Sequence, residues 1–195
     1  LGNPSIPAPE EVRQAFFQLI AREDSLGVHG YTPAPGSSEA RAAVAADLNE
    51  RFGADIRPEN LFLTCGAAPA LISVIRALAV EGAEIMAIAP FFPEYRPFVE
   101  SNGAKFVVVP ADTQTFQIPV AEVEQRLTPH TQAIIVNSPN NPSGAIYSRE
   151  NLLALGEVLK RKGAEYGHPI YIIADEPYRE LVYDGAEVPF IPNLY

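Results

Sequence analysis

The chain has 195 residues, is 47% hydrophobic and carries a net charge of −10 with a pI near 4.7, enough for one large domain or one and a half small ones with a sizeable core. The acidic balance argues against nucleic acid and anionic membrane surfaces as partners. No apolar run reaches the about 18 residues a membrane span needs, no signal peptide is visible, and the one cysteine, Cys65, excludes an internal disulfide framework, so a reducing, cytoplasmic setting is expected.

Residues 1–9, LGNPSIPAP, carry three prolines and a glycine and read as an extended arm. Glu10 to about Arg22 is helical by spacing, with Val12, Phe16, Leu19 and Ile20 on one face and Glu10 and Glu11 in the first turn. A polar loop through His29-Gly30-Tyr31 and Pro33, Pro35 and Gly36 follows. Ser37 or Ser38 then caps a helix with Val44, Leu48 and Phe52 on its stripe, ending at Gly53.

From there strands and helices alternate. Leu61–Thr64 reads as a short strand, and Ala68–Glu81 as a helix with Leu71, Val74, Ile75 and Leu78 inward. Glu84–Ala89 is a strand, Pro93 to about Asn102 a short helix, and Lys105–Val109 a strand. Pro119 opens a helix with Val120, Val123 and Leu127 on one side, and Gln132–Asn137 is the fourth strand. Ser148 caps a helix striped by Leu152, Leu155 and Leu159, with Lys160-Arg161-Lys162 as its basic last turn and Gly163 as its stop. Ile170–Asp175 is the fifth strand, apolar throughout until two carboxylates. Strands separated by helices indicate an α/β fold with a mainly parallel, doubly wound sheet in three layers.

In such sheets ligands sit beyond the carboxyl ends of the strands, so the residues there are candidate site residues. Thr64-Cys65-Gly66-Ala67-Ala68 turns from a strand into a helix, whose free N–H groups suit a phosphate; it also fits an ordinary strand-to-helix turn. Pro90-Phe91-Phe92-Pro93-Glu94-Tyr95 offers aromatic faces for a flat ligand, or core under a loop. Ser138-Pro139-Asn140-Asn141-Pro142-Ser143-Gly144 is a rigid turn that presents an asparagine at the carboxyl edge. Asp175 is placed either to face a protonated heterocycle or to cap a helix, and Tyr178 could donate to a phenolate oxygen or simply pack. The histidines show no metal-ligand spacing, and neither Gly-rich phosphate-loop pattern is present, which disfavours a nucleotide-binding domain.

These motifs, in this order, resemble the pyridoxal-phosphate-dependent aminotransferases of the aspartate aminotransferase fold type. Asn141-Pro142-Ser143-Gly144 and Asp175-x-x-Tyr178 are the most specific parts, and the likeness runs from about Gly2 to the end. The resemblance implies that Asp175 pairs with the pyridinium nitrogen of pyridoxal 5'-phosphate, that Asn141 and Tyr178 hold its phenolic oxygen, and that Phe92 stacks on its ring where many relatives carry tryptophan. It implies that the Gly66-Ala67-Ala68 backbone holds the phosphate, with alanines where relatives often have serine or threonine. Tyr31 would reach the phosphate of the other subunit of a homodimer, and Gly2, with Asn141, would lie near the substrate carboxylate.

The resemblance also implies a lysine that joins the cofactor as a Schiff base, within a Ser-x-Ser-Lys-type segment past the Asp-x-x-Tyr motif. The lysines present, Lys105, Lys160 and Lys162, do not match it, so no catalytic residue is assigned in this chain. The implied organisation is an N-terminal arm and helix over residues 1–27 and an incomplete cofactor-binding large domain over residues 28–195, truncated before its last two strands and inactive alone. The expected parent activity is amino-group transfer between an amino acid and a 2-oxo acid. A β-lyase or decarboxylase on the same fold, or a non-catalytic effector-binding relative, carries the same motifs.

Overall fold

The computed structural model describes residues 6–22 and 24–195. The centre is a sheet of four parallel strands: β1 (Glu84–Ile88), β2 (Lys105–Val109), β3 (Thr131–Asn137) and β4 (Tyr171–Asp175), in the order β2-β1-β3-β4. The register pairs Glu84 with Lys105 across β1 and β2, and Asn137 with Asp175 across β3 and β4.

Side chains alternate between the two faces, as strand geometry requires. Ile85, Ala87, Ala133, Ile135 and Ile173 meet α4 (Ala67–Leu78) and α5 (Tyr95–Glu100), chiefly at Leu71, Ile75, Tyr95 and Val99. Met86, Ile88, Val109, Ile134 and Val136 meet α6 (Val120–Arg126) and α7 (Arg149–Tyr166), chiefly at Val123, Leu152, Leu155 and Leu159. The result is the expected three-layer, doubly wound architecture. The chain runs outward from β1 to β2 and back past β1 to β3, so the sheet order reverses between β1 and β3. That reversal opens the crevice in which α/β sheets bind ligands.

The helix at residues 149–166 forms for legible reasons. Ser148 Oγ accepts from the Asn151 N–H at 3.1 Å, and the leucine stripe is buried. Each such leucine contributes about 1.5–3 kcal/mol by burial. Its stop differs from expectation: Gly163 lies inside the helix, which ends at Gly167 in a left-handed conformation (φ 80°). Gly163 is there for closeness, since a Cβ would meet the His168 carbonyl oxygen at 3.0 Å.

Other expectations are corrected. Leu61–Thr64 forms no strand, because no neighbouring strand among the described residues offers it a ladder; Leu63 N–H bonds only to the Pro35 carbonyl, at 3.0 Å. The expected helix α1 (Glu10–Ile20) forms, and its apolar face packs against nothing among the described residues, with Phe16 61% exposed. A short helix α2 (Ser25–His29), capped by Asp24 on the Gly27 N–H, interrupts the loop expected there. In α3 (Ser38–Phe52), capped by Ser37, Ala45 is the buried residue and Val44 is exposed. Val74 of α4 also faces outward, beside the outer edge of β4.

Candidate active site

The exits of β1, β3 and β4 and the first turn of α4 converge on one cleft of about 240 Å³. Ala67, Ala68, Phe92, Asn141, Asp175 and Tyr178 line it together. Positions as far apart in sequence as Ala67 and Tyr178 thus meet at the sheet's carboxyl edge.

Buried asparagines hold the exits in place. Asn137, the last residue of β3, donates from Nδ2 to the Asp175 carbonyl at 2.8 Å and accepts from the Asn141 N–H at 2.6 Å. One side chain therefore sets the backbone of both Asp175 and Asn141. Asn140 donates to the Pro90 carbonyl at 3.3 Å and accepts from Ser143 Oγ at 2.7 Å, which joins the β1 and β3 exits. Asn141 Nδ2 in turn donates to the Tyr178 hydroxyl at 3.3 Å, so the two side chains face the cleft as a pair.

Asp175 has a partner that its motif did not reveal. Tyr95, at the start of α5 and 1% exposed, donates its hydroxyl to Asp175 Oδ2. Its ring also meets Phe92 edge-on, with centroids 5.7 Å apart. Burial pushes the Asp175 carboxyl above the ordinary carboxylate range, and the Tyr95 bond pulls it partly back. Burial, then the Asp175 hydrogen bond, drive the Tyr95 phenol far above its ordinary value, so it stays a donor.

The first turn of α4 offers the opposite polarity. Gly66 caps it at φ 105°, a conformation that only glycine adopts readily, although a Cβ there would meet nothing within 4 Å. No side chain caps the helix, so its first N–H groups are free to meet an anion. Thr64 Oγ donates to the Gly66 carbonyl at 2.8 Å and fixes the turn.

The cleft is thus a half-buried carboxylate at one end, free N–H donors at another, an amide–phenol pair and an aromatic face between them. Among the residues that line it there is no lysine or arginine, while Glu94 and Asp175 are acidic. Lys105 pairs with Glu84 at 2.7 Å, Lys160 with Glu157 at 3.7 Å, and Lys162 with Glu165 at 2.7 Å. Lys162 is less solvated than its place in the sequence suggests, at 17% side-chain exposure. Tyr31 stands fully exposed and outside the cleft, and Gly2 lies outside the described residues. Tyr95 and Asn140 lay inside candidate stretches of the sequence without a role of their own, and Asn137 was read only as the end of a strand; a polar residue ending an apolar strand was the available signal for Asn137. The described residues hold no cluster suited to a metal and no helix long and apolar enough to cross a membrane.

Residues 1–194 match the aminotransferase class I and II family. The chain belongs to that family. Its structure superimposes on the crystal structure of an aminotransferase from Eubacterium rectale with a TM-score of 0.98, at 49% identity over 100% of this chain and 49% of that one. The aspartate aminotransferase of Thermotoga maritima gives a TM-score of 0.87 at 33% identity, again over 100% of this chain and 49% of the other. A probable aspartate/prephenate aminotransferase of Thermus aquaticus is 34% identical, over 95% of this chain and 46% of its own length. A probable N-succinyldiaminopimelate aminotransferase of Mycobacterium tuberculosis is 36% identical over 95% of this chain. The chain spans about half the length of the curated relatives it matches.

Proposed function

We propose that the cleft binds pyridoxal phosphate and that the protein carrying it transfers amino groups between an amino acid and a 2-oxo acid. The observation that carries this is the convergence of Asp175, the Asn141–Tyr178 pair, Phe92 and the α4 N-terminus on one cleft. The donor set fits the cofactor's polarity. A carboxylate with no cation beside it in the cleft suits a protonated pyridine nitrogen. The uncapped helix start suits a phosphate.

Each residue has a defined task in this reading. Asp175 accepts a hydrogen bond from the ring N–H and so holds the proton there; Tyr95 and Asn137 keep its carboxylate and backbone in place. Asn141 and Tyr178 hold the phenolic oxygen. Phe92 covers one ring face, and the N–H groups of Gly66, Ala67 and Ala68 take the phosphate without help from a side-chain hydroxyl. The cofactor, when bound, supplies the electron sink that stabilises negative charge at the amino acid's α-carbon. Gly2 and Asn141 are the candidates for the substrate carboxylate.

Residues 28–195 would form the body of the cofactor-binding domain, with residues 1–27 an arm and helix. A homodimer is supported by the full exposure of Tyr31 and by the uncovered apolar face of α1, both surfaces open to a second subunit. A reducing, cytoplasmic location is in keeping with the free, exposed thiol of Cys65.

Borohydride treatment after incubation with pyridoxal phosphate tests the assignment of no catalytic lysine. The 195-residue chain is expected to bind the cofactor without covalent fixation. A stoichiometric pyridoxyl adduct on Lys105, Lys160 or Lys162 would overturn it. Amino-group transfer by a protein that carries this sequence at its relatives' length tests the activity itself.

A further inference from the structure

The turn after β4 carries an ion pair whose side chains lie outside the cleft lining. Arg179 Nη2 lies 2.5 Å from Glu176 Oε1, and Nε lies 3.2 Å from Oε2, with the side chains only 11% and 17% exposed. The same guanidinium donates from Nη1 to the Val188 carbonyl and from Nη2 to the Pro189 carbonyl, both at 2.9 Å. It also sits over the rings of Phe52 and Phe190, at 5.1 and 5.4 Å. Those rings stack with centroids 4.3 Å apart and planes within 9°.

Exposed ion pairs contribute little to stability. This one is different in kind. It is forked, largely buried and stacked, a combination that the planar guanidinium can satisfy and an ammonium cannot. It joins three separate pieces of chain: the turn after β4, the segment around residues 188–190, and the end of α3.

What it holds is the stretch that supplies two groups to the cleft. Glu176 and Arg179 bracket Pro177 and Tyr178, and the Arg179 N–H closes the turn on the Glu176 carbonyl at 3.2 Å. On the other side, Asn137 pins the Asp175 carbonyl at 2.8 Å. The backbone between the Asp175 carboxylate and the Tyr178 hydroxyl is therefore fixed at both ends.

We propose that Arg179 is a positioning residue. Acting through Glu176 and the residue 188–190 segment, it sets the Tyr178 hydroxyl relative to the Asp175 carboxylate, and so fits the cleft to a ring that presents a cationic nitrogen and an oxyanion together. The proposal rests on the reading in which the cleft holds pyridoxal phosphate.

Two variants test it. Arg179→Met keeps the length and the packing on the phenylalanines but removes every donor; Arg179→Lys keeps charge without the fork. The first measurement is amide hydrogen exchange without ligand. Exchange at residues 179 and 181, whose N–H groups bond to the Glu176 and Tyr178 carbonyls, is expected to quicken by about tenfold or more in Arg179→Met and to stay unchanged in β1 and β3. The second is the affinity ratio of pyridoxal phosphate to its analogue without the phenolic oxygen. The wild-type ratio, expected at about tenfold or more, collapses towards one in Arg179→Met, and Arg179→Lys does not restore it. Weaker binding of both ligands at the wild-type ratio would show that Arg179 only supports the fold, and would overturn the proposal. Unchanged exchange would overturn it without reference to any ligand. A wild-type protein that fails to distinguish the two ligands would overturn the cofactor reading and this role with it, while the exchange result would still report whether the turn is held.

Discussion

Replacing Tyr95 with phenylalanine removes one oxygen from a site that is 1% exposed, and nothing else. The lost bond runs from a neutral phenol to a carboxylate, a class that contributes about 1.5–3 kcal/mol. Asp175 is only half-buried, so water can partly replace the phenol, and a cost of about 1–2 kcal/mol is expected. For a domain of this size that lowers Tm by roughly 2–8 °C. The cost depends on pH with a definite sign. The Tyr95 bond lowers the Asp175 pKa, so it is stronger to the ionised form. The gap between wild type and Tyr95→Phe should therefore widen as pH rises through the Asp175 titration and narrow below it. Thermal unfolding followed by circular dichroism at acid and neutral pH measures both. Equal stability at every pH would refute the bond and the tuning of Asp175 built on it.

Asp175→Asn keeps an acceptor for Tyr95 and discards the charge. Because burial raises the folded pKa of Asp175 above its unfolded value of about 3.9, its contribution to stability is complete below that value and is lost as pH rises through the folded pKa. The variant should thus be more stable than wild type at neutral pH, with the advantage gone under acid conditions; denaturant melts at both pH values check it. At the opposite edge of the sheet, burial pushes Glu84 up, but bonds from Lys105 and Thr128 outweigh it and leave its pKa lowered. That stability is present above the unfolded glutamate pKa and is lost as pH falls through the folded one. Lys105→Met should cost about 1–2 kcal/mol, discounted because the lysine side chain is 71% exposed, and should shift acid unfolding to higher pH. Ser148→Ala should cost about 1 kcal/mol through loss of the α7 cap, read from denaturant midpoints.

How much of this was legible in the sequence depended on whether the cause was local. Helix α7 was readable because its cap, stripe and burial lie within one stretch, and β2 because its last four residues form a single apolar run bounded by turns. Gly163 was misread as a stop because its cause, the His168 carbonyl of the returning chain, is not part of helix grammar. Leu61–Thr64 has a strand's composition, but a strand also needs a neighbour, which composition does not supply. The stripe of α1 was read correctly as a face, but periodicity does not say what covers it. In the site, the strand-end motifs gave Asn141, Asp175, Tyr178, Phe92 and the α4 start, which the fold then gathers into one cleft. The roles of Tyr95 and Asn137 escaped because their bonds to Asp175 span 80 and 38 residues. Tyr31 sits outside the cleft within one chain, where no intrachain contact could have placed it.

The central claim is that Asp175 faces a cationic ring nitrogen. Equilibrium titration of wild type and Asp175→Ala with pyridoxal phosphate, and with the analogue in which carbon replaces the ring nitrogen, tests it most directly. Loss of a charge-assisted bond of about 1.5–3 kcal/mol predicts a roughly ten- to hundredfold rise in Kd for pyridoxal phosphate in the variant, and little change for the analogue. Equal weakening for both ligands, or none for either, would contradict the account.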